Sequence, residues 1–297
     1  MSPAQQPIGV PTRLAPLLAQ IGRLAHQQHL SAYVVGGCVR DWVLKRPTVD
    51  MDVAVEGDGI AFAKAVAEAL EARITVHEQF GTAVLELPLR GVVGRRHTDP
   101  TPWPGSPPAS REHLRRVAPF TCSPAPLGRA ARGWDDPSTA RLDVATCRRE
   151  RYTKPAAYPK VTAGRLRDDL FRRDFTINAM AMPIRPEGLG RIKDPFGGLK
   201  DLRAKRLRIL HPKSFLDDPS RILRAARFVE RYGLTLEPAT ARCLREALVS
   251  GVLIQLNRGR LQKELARMLG EPDSTACLTR FSQWLRTSSS ARWRVGL

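Results

Sequence analysis

The chain has 297 residues, 42% hydrophobic and 26% charged, enough for one large globular domain or two ordinary ones with a real core. No apolar run reaches the ~18 residues of a membrane span, the N-terminus lacks a signal-peptide pattern, and five cysteines without a CxxC pair exclude a disulfide scaffold and a zinc ribbon. The expectation is a reduced, cytoplasmic protein with no membrane contact, and its formal charge of +19 calls for a polyanion such as nucleic acid.

Pro3, Pro7 and Pro11 mark a loose leader. Leu14, Leu17, Leu18, Ile21, Leu24 and Ala25 then recur at helical spacing, so residues 1–30 read as leader and first helix. Residues 32–35 read as a strand ending in Gly36-Gly37, and 51–55 as a second. A helix is expected over 60–71, then strands over 74–76 and 81–87. Residues 91–140, dense in Pro and Arg, hold neither period and read as a disordered basic insertion. Strand character resumes at 141–146. From Ser214 onward it stops, and 220–232, 238–249 and 258–269 read as three helices. The fold class expected is α+β: a mixed-sheet head over 31–212, then an all-α segment over 213–297.

The chemistry begins at Asp50-Met51-Asp52. On a strand, residues i and i+2 share a face, so both carboxylates converge, and hard oxygen donors so placed suit Mg²⁺. About a dozen residues upstream, Gly36 and Gly37 leave backbone N–H groups open to a phosphate, and Arg40 can add a charge-assisted bond. Asp41 is assigned to orienting Arg40. Asp143, on the strand after the insertion, is the candidate third carboxylate. Arg172, Arg173 and Asp174 form a second charged cluster, whose plain reading is a helix terminus with Asp169 as local partner. Asp218-Pro219 reads as a helix start, and Arg221, Arg224 and Arg227 follow at three-residue steps on one broad face. A carboxylate beside guanidinium groups can pair with the edge of a nucleobase. Cys38, set inside the glycine turn, is not a nucleophile candidate, and the six histidines show no ligand spacing.

Four blocks carry a family resemblance. Residues 34–59, VVGGCVRDWVLKRPTVDMDVAVEGDG, resemble the first signature of the class II tRNA nucleotidyltransferases and bacterial poly(A) polymerases, within the polymerase-β-like nucleotidyltransferase superfamily. Residues 168–180, DDLFRRDFTINAM, are similar to the family's RRDFTxNAM block. Residues 194–202 look like its hinge, and 217–228, DDPSRILRAARF, resemble its EDxxR block, with Asp217 where the family usually has Glu. The resemblance implies a polymerase-β-like head and a helical neck, with the family's body and tail truncated.

By the same resemblance, Asp50 and Asp52 hold the first of two Mg²⁺ ions, and Arg40, Arg172 and Arg173 meet the triphosphate. Asp174 and Asn178 help select a ribose, and Asp218 with Arg221 reads the base without a nucleic-acid template. Arg224 and Arg227 sit nearer the triphosphate or its entry path. The implied substrates are CTP, ATP and the 3′ end of tRNA, with no stable protein partner inferable. CCA-, CC- and A-addition stay open, as does a poly(A) polymerase. A rival of another class is a truncated, non-catalytic RNA-binding remnant, since the chain stops soon after the neck.

Overall fold

The computed structural model describes residues 9–88 and 139–292. The insertion expected over 91–140 lies outside those residues except at 139–140, which are already strand, and most of the leader lies outside them too. The first helical period forms α1 (Ala15–Gln27), burying Leu17, Leu18, Ile21 and Ala25. Next come β1 (Ser31–Val35), the short α2 (Gly37–Val43) and β2 (Asp50–Glu56). Asp58 caps α3 (Gly59–Ala69) by accepting from the N–H groups of Ile60 and Ala61. Then follow β3 (Arg73–His77), β4 (Thr82–Pro88) and β5 (Thr139–Thr146). A hairpin of β6 (Arg148–Arg151) and β7 (Lys160–Ala163) precedes α4 (Leu166–Phe171), and β8 (Ala181–Arg185) pairs with β9 (Gly188–Leu189). The chain continues through α5 (Gly198–Arg203), β10 (Arg206–Leu207) and α6 (Ser214–Asp217). It ends in α7 (Ser220–Tyr232), β11 (Thr235–Leu236), α8 (Pro238–Val249), α9 (Arg258–Leu269) and α10 (Ser274–Arg292).

Among the described residues one mixed sheet runs β3-β4-β5-β2-β1-β8-β9, with β2 and β5 as its parallel pair. Strand alternation gives it two different faces. Met51, Val53, Val55, Leu85, Leu142 and Val144 point to one side and are buried with Leu18, Ile21, Phe62 and Val66 of α1 and α3. Each such side chain contributes roughly 1.5–3 kcal/mol. The other face carries Asp50, Asp52 and Asp143, and is covered only in part: Tyr33, Val35 and Ala54 pack under Leu166 and Leu170 of α4. One face therefore holds the fold and the other is left for chemistry.

The helical part is joined to the sheet part through α7. Its Ile222, Ala225, Phe228 and Val229 belong to the core that the sheet helices share. Its Leu223 and Ala226 turn the other way, to Leu256, Met268 and Cys277. A parallel pair between β10 and β11 also crosses the joint, and apart from that two-residue strand the described part from Ser214 on is helical or turn.

Candidate active site

Strand register sets the floor of the site. Asp52 lies opposite Asp143 across the parallel β2–β5 pair and opposite Val35 of β1, while Asp50 lies opposite Arg141. Asp50 and Asp52 stay exposed as Met51 and Val53 are buried, so one alternation produces both the core and the carboxylate row. Arg141 Nε and Nη2 donate to the two oxygens of Asp143 at 2.9 and 3.1 Å. Although Asp52 keeps accessible surface, desolvation of its carboxyl on the cavity floor raises it above its ordinary range; Arg173 opposes this and Asp143 adds to it. Asp50 is raised in the same way, by burial and then by Asp143 against the pull of Arg141.

At the end of β1 the chain turns through Gly36 at φ +80°, a conformation side chains rarely adopt. A Cβ at Gly36 would lie 2.3 Å from Arg173 Nη1 and 3.5 Å from Asp52 Oδ2, so glycine lets the guanidinium close over the carboxylate. Arg173 also donates from Nη2 to Asp169, and Asp169 takes Arg172 through its other oxygen. Burial would raise Asp169, but Arg173 and Arg172 outweigh it and hold the carboxyl below its usual range. Arg173 thus belongs to the local charge cluster and also acts electrostatically on Asp52. Cys38 is buried, its thiol pushed up to about 12 by that burial, in keeping with its exclusion as a nucleophile.

Asp41 orients Arg40 as expected, and both Arg40 and Asp174 also take partners that are distant in sequence. The Arg40 guanidinium is gripped by Asp41 through Nε and Nη2, both at 2.9 Å, and donates from Nη1 to Asn178 Oδ1. It also lies 4.5 Å from the Tyr232 ring centroid. Asn178 Nδ2 donates in turn to Asp174 Oδ1 at 2.9 Å, and Asp174 Oδ2 accepts from Arg224 Nε and Nη2. Burial works against the Asp174 carboxylate, yet Arg224 and then Asn178 hold its pKa far below normal. These four residues form one polar chain from α2 to α7, and Arg224 spends its charge on Asp174 in this conformation.

On the helical side, Asp218 Oδ1 accepts from Ser220 N–H and Oγ–H, while α7 starts at Ser220 with Pro219 at its N-cap, one place later than the sequence reading sets it. Arg221 is buried; it donates to Ser214 Oγ and to the carbonyl of Arg172, both at 2.7 Å, and stands 4.0 Å from Asp218. Arg227 lines the cavity and donates from Nη1 to Glu271 at 3.0 Å. Arg173 Nε and Arg227 Nε are nonetheless buried without a hydrogen-bond partner, donors that an anion would satisfy.

All the candidate residues except Asp50 and Gly36 line one cavity of about 1000 Å³. Reading along the chain missed two further parts of its wall. One is the β6–β7 hairpin, which brings Glu150, Tyr152 and Tyr158 to the rim; the other is α9, which brings Arg260, Lys263, Glu264 and Arg267. The α9 set has a legible signal, since its members recur at i, i+3, i+4 and i+7 within an expected helix.

The donor set fits a divalent cation. Mg²⁺ needs only one or two carboxylates, with phosphate and water oxygens completing its octahedron. Asp52 and Asp143 are paired in register with Asp50 on the same face, and their mutual repulsion is what a cation would offset. Among the described residues no three acidic, imidazole or thiol groups lie close enough together to hold a metal ion by themselves.

Residues 32–88 and 107–208, more than half of the chain, match the family described as the poly(A) polymerase head domain. The chain belongs to this family. Its match to the A-adding tRNA nucleotidyltransferase of Geobacter sulfurreducens is 33% identical over 273 residues, covering 92% of this chain and 26% of that protein. Among solved structures, a CCA-adding enzyme in apo form II superposes with a TM-score of 0.72 at 31% identity, over 92% of this chain and 53% of that one. A tRNA nucleotidyltransferase complexed with a primer tRNA and an incoming ATP analogue gives 0.65 at 33%, over 89% and 60%. The chain thus spans about a quarter to three fifths of these relatives. Within the poly(A) polymerase head family, the sheet part is the head, and the cavity lies where the head meets the helical neck.

Proposed function

We propose that this chain adds C, A or both to the 3′ end of tRNA, releasing pyrophosphate and using no nucleic-acid template. The observation that carries the reading is the two-sided cavity. Its lining takes Asp52 beside Asp143 from the sheet, and Asp218 and Arg221 from the α6–α7 segment. Reacting phosphate and selected base would therefore meet different parts of the chain at one site.

In this reading Asp50, Asp52 and Asp143 would hold Mg²⁺. Bound there, the ion would lower the pKa of the attacking hydroxyl and offset phosphate charge. The 3′-hydroxyl oxygen of the RNA attacks the α-phosphorus of CTP or ATP. Its proton passes to the carboxylate group, the bond between the α-phosphorus and the bridging oxygen breaks, and pyrophosphate leaves. Arg173, paired with Asp169 beside the glycine turn, and Arg227, whose buried Nε has no partner, would supply positive charge to offset the developing negative charge. Arg40, Asn178, Asp174 and Arg224 act as the frame that fixes these groups relative to the base-reading wall.

The test is Asp52→Asn in a nucleotide-incorporation assay with tRNA. Transfer should fall by roughly 10²–10³-fold or more, as for loss of a main electrostatic group, while tRNA binding is retained. Activity equal to the parent would remove Asp52 from the site. Long A-tails on unrelated RNA would favour the poly(A) polymerase reading of the same cavity.

A further inference from the structure

The α9 wall holds two polar atoms that no group among the described residues satisfies. Glu264 is 5% exposed; its Oε1 accepts from Arg267 and faces Arg224 Nη1 at 3.6 Å, while its Oε2 is buried without a partner. One turn earlier Arg260 commits Nη2 to Asp218 Oδ1 and leaves Nη1 buried and unpaired. An acceptor and a donor left buried in this way are costly, and both residues line the cavity. Over Arg260, with its ring centroid 5.7 Å from the guanidinium carbon, stands Tyr158, an aromatic side chain 70% exposed at the rim.

We propose that Arg260, Glu264 and Tyr158 form a second nucleotide subsite that takes the terminal base of the RNA acceptor, a proposal that rests on the nucleotidyl-transfer reading above. A nucleobase offers what these three lack: a flat face for the tyrosine, a donor for Glu264 Oε2 and an acceptor for Arg260 Nη1. Cytosine and adenine carry an amine beside an unprotonated ring nitrogen, which matches this pair; uracil does not. Asp218 ties Arg260 to the wall that faces the incoming nucleotide, so the two subsites adjoin. The cavity, at about 1000 Å³, is at the top of the ~300–1,000 Å³ range for single-ligand sites, which leaves room for a second base. Lys263 and Arg267 on the same wall supply cations for RNA phosphates.

Binding of a short single-stranded RNA ending in cytidine, and of the same RNA ending in uridine, tests this by fluorescence anisotropy, with CTP and ATP binding followed by calorimetry. Tyr158→Ala removes an exposed side chain and spares the core; it should weaken RNA binding roughly tenfold with CTP and ATP affinity held. Glu264→Gln should erode the preference for a cytidine end. RNA affinity unchanged in Tyr158→Ala, or lost in step with CTP and ATP affinity, overturns the subsite even where the parent chain transfers nucleotides. A parent chain that binds neither CTP nor ATP overturns the nucleotidyl-transfer reading, and the subsite with it.

Discussion

A methyl group at Gly36 would meet Arg173 Nη1 at 2.3 Å on a backbone already at φ +80°. Gly36→Ala should therefore cost about 1–3 kcal/mol in urea unfolding and lower nucleotide transfer by displacing the Arg173 guanidinium. Loss of stability without loss of transfer would separate the turn from the chemistry. Asp52 carries the opposite tension. Its carboxyl is raised by burial, so above the pKa of an unfolded Asp its charged form costs the folded state. Asp52→Asn should raise the melting temperature at neutral pH while abolishing transfer, a trade of stability for function. His211 supplies a pH signature of different origin. Burial, with Arg221 nearby, brings its imidazole down to about 4. A histidine lowered in the fold gives stability that is complete above its unfolded pKa of ~6.5 and is lost as pH falls toward 4. Melting temperatures across that window should decline in the parent and flatten in His211→Gln.

At the scale of elements, α7 is shared by both halves of the molecule. Phe228 packs edge-on against Phe175 of the head, at 5.7 Å between centroids, and Arg224 reaches the buried Asp174. Arg224→Ala leaves that carboxylate without its cation and should cost about 3–5 kcal/mol in chemical unfolding. Arg224→Ala with parent stability would show that Asp174 finds another partner. Long periodic helices were the legible elements: 220–232, 238–249 and 258–269 fold over the residues their spacing predicts. The short α2, α4 and α5, and the β6–β7 hairpin, were not, because six or seven residues hold too little periodicity to separate helix from turn. The helix α10 was missed for a related reason, since its polar Ser-rich end carries no apolar stripe. The site follows the same division. Asp50, Asp52 and the glycine turn sit within a few residues of one another, so local spacing betrays them. Nothing local says that Arg40 will be locked to Asn178, 138 residues away, or that Arg227 will find Glu271. Those partners exist only once head and neck meet.

For the whole molecule, the +19 charge and the cavity at the head–neck joint are both consistent with the proposed RNA substrate. Neutralising RNA phosphates releases counterions, so tRNA affinity should fall roughly tenfold or more between 50 and 200 mM salt, whereas a salt-independent affinity would assign the charge elsewhere. No helix among the described residues is long and apolar enough to cross a membrane. In the proposed function one cavity both selects the base and performs the transfer. The most direct measurement of this gives the purified chain Mg²⁺, labelled CTP, ATP or both, and tRNAs ending before CCA, after C and after CC, with products resolved to single nucleotides. Stepwise addition that stops at or within CCA, and that vanishes in Asp52→Asn, is the result expected. Nucleotide binding without incorporation into any of these tRNAs would contradict it.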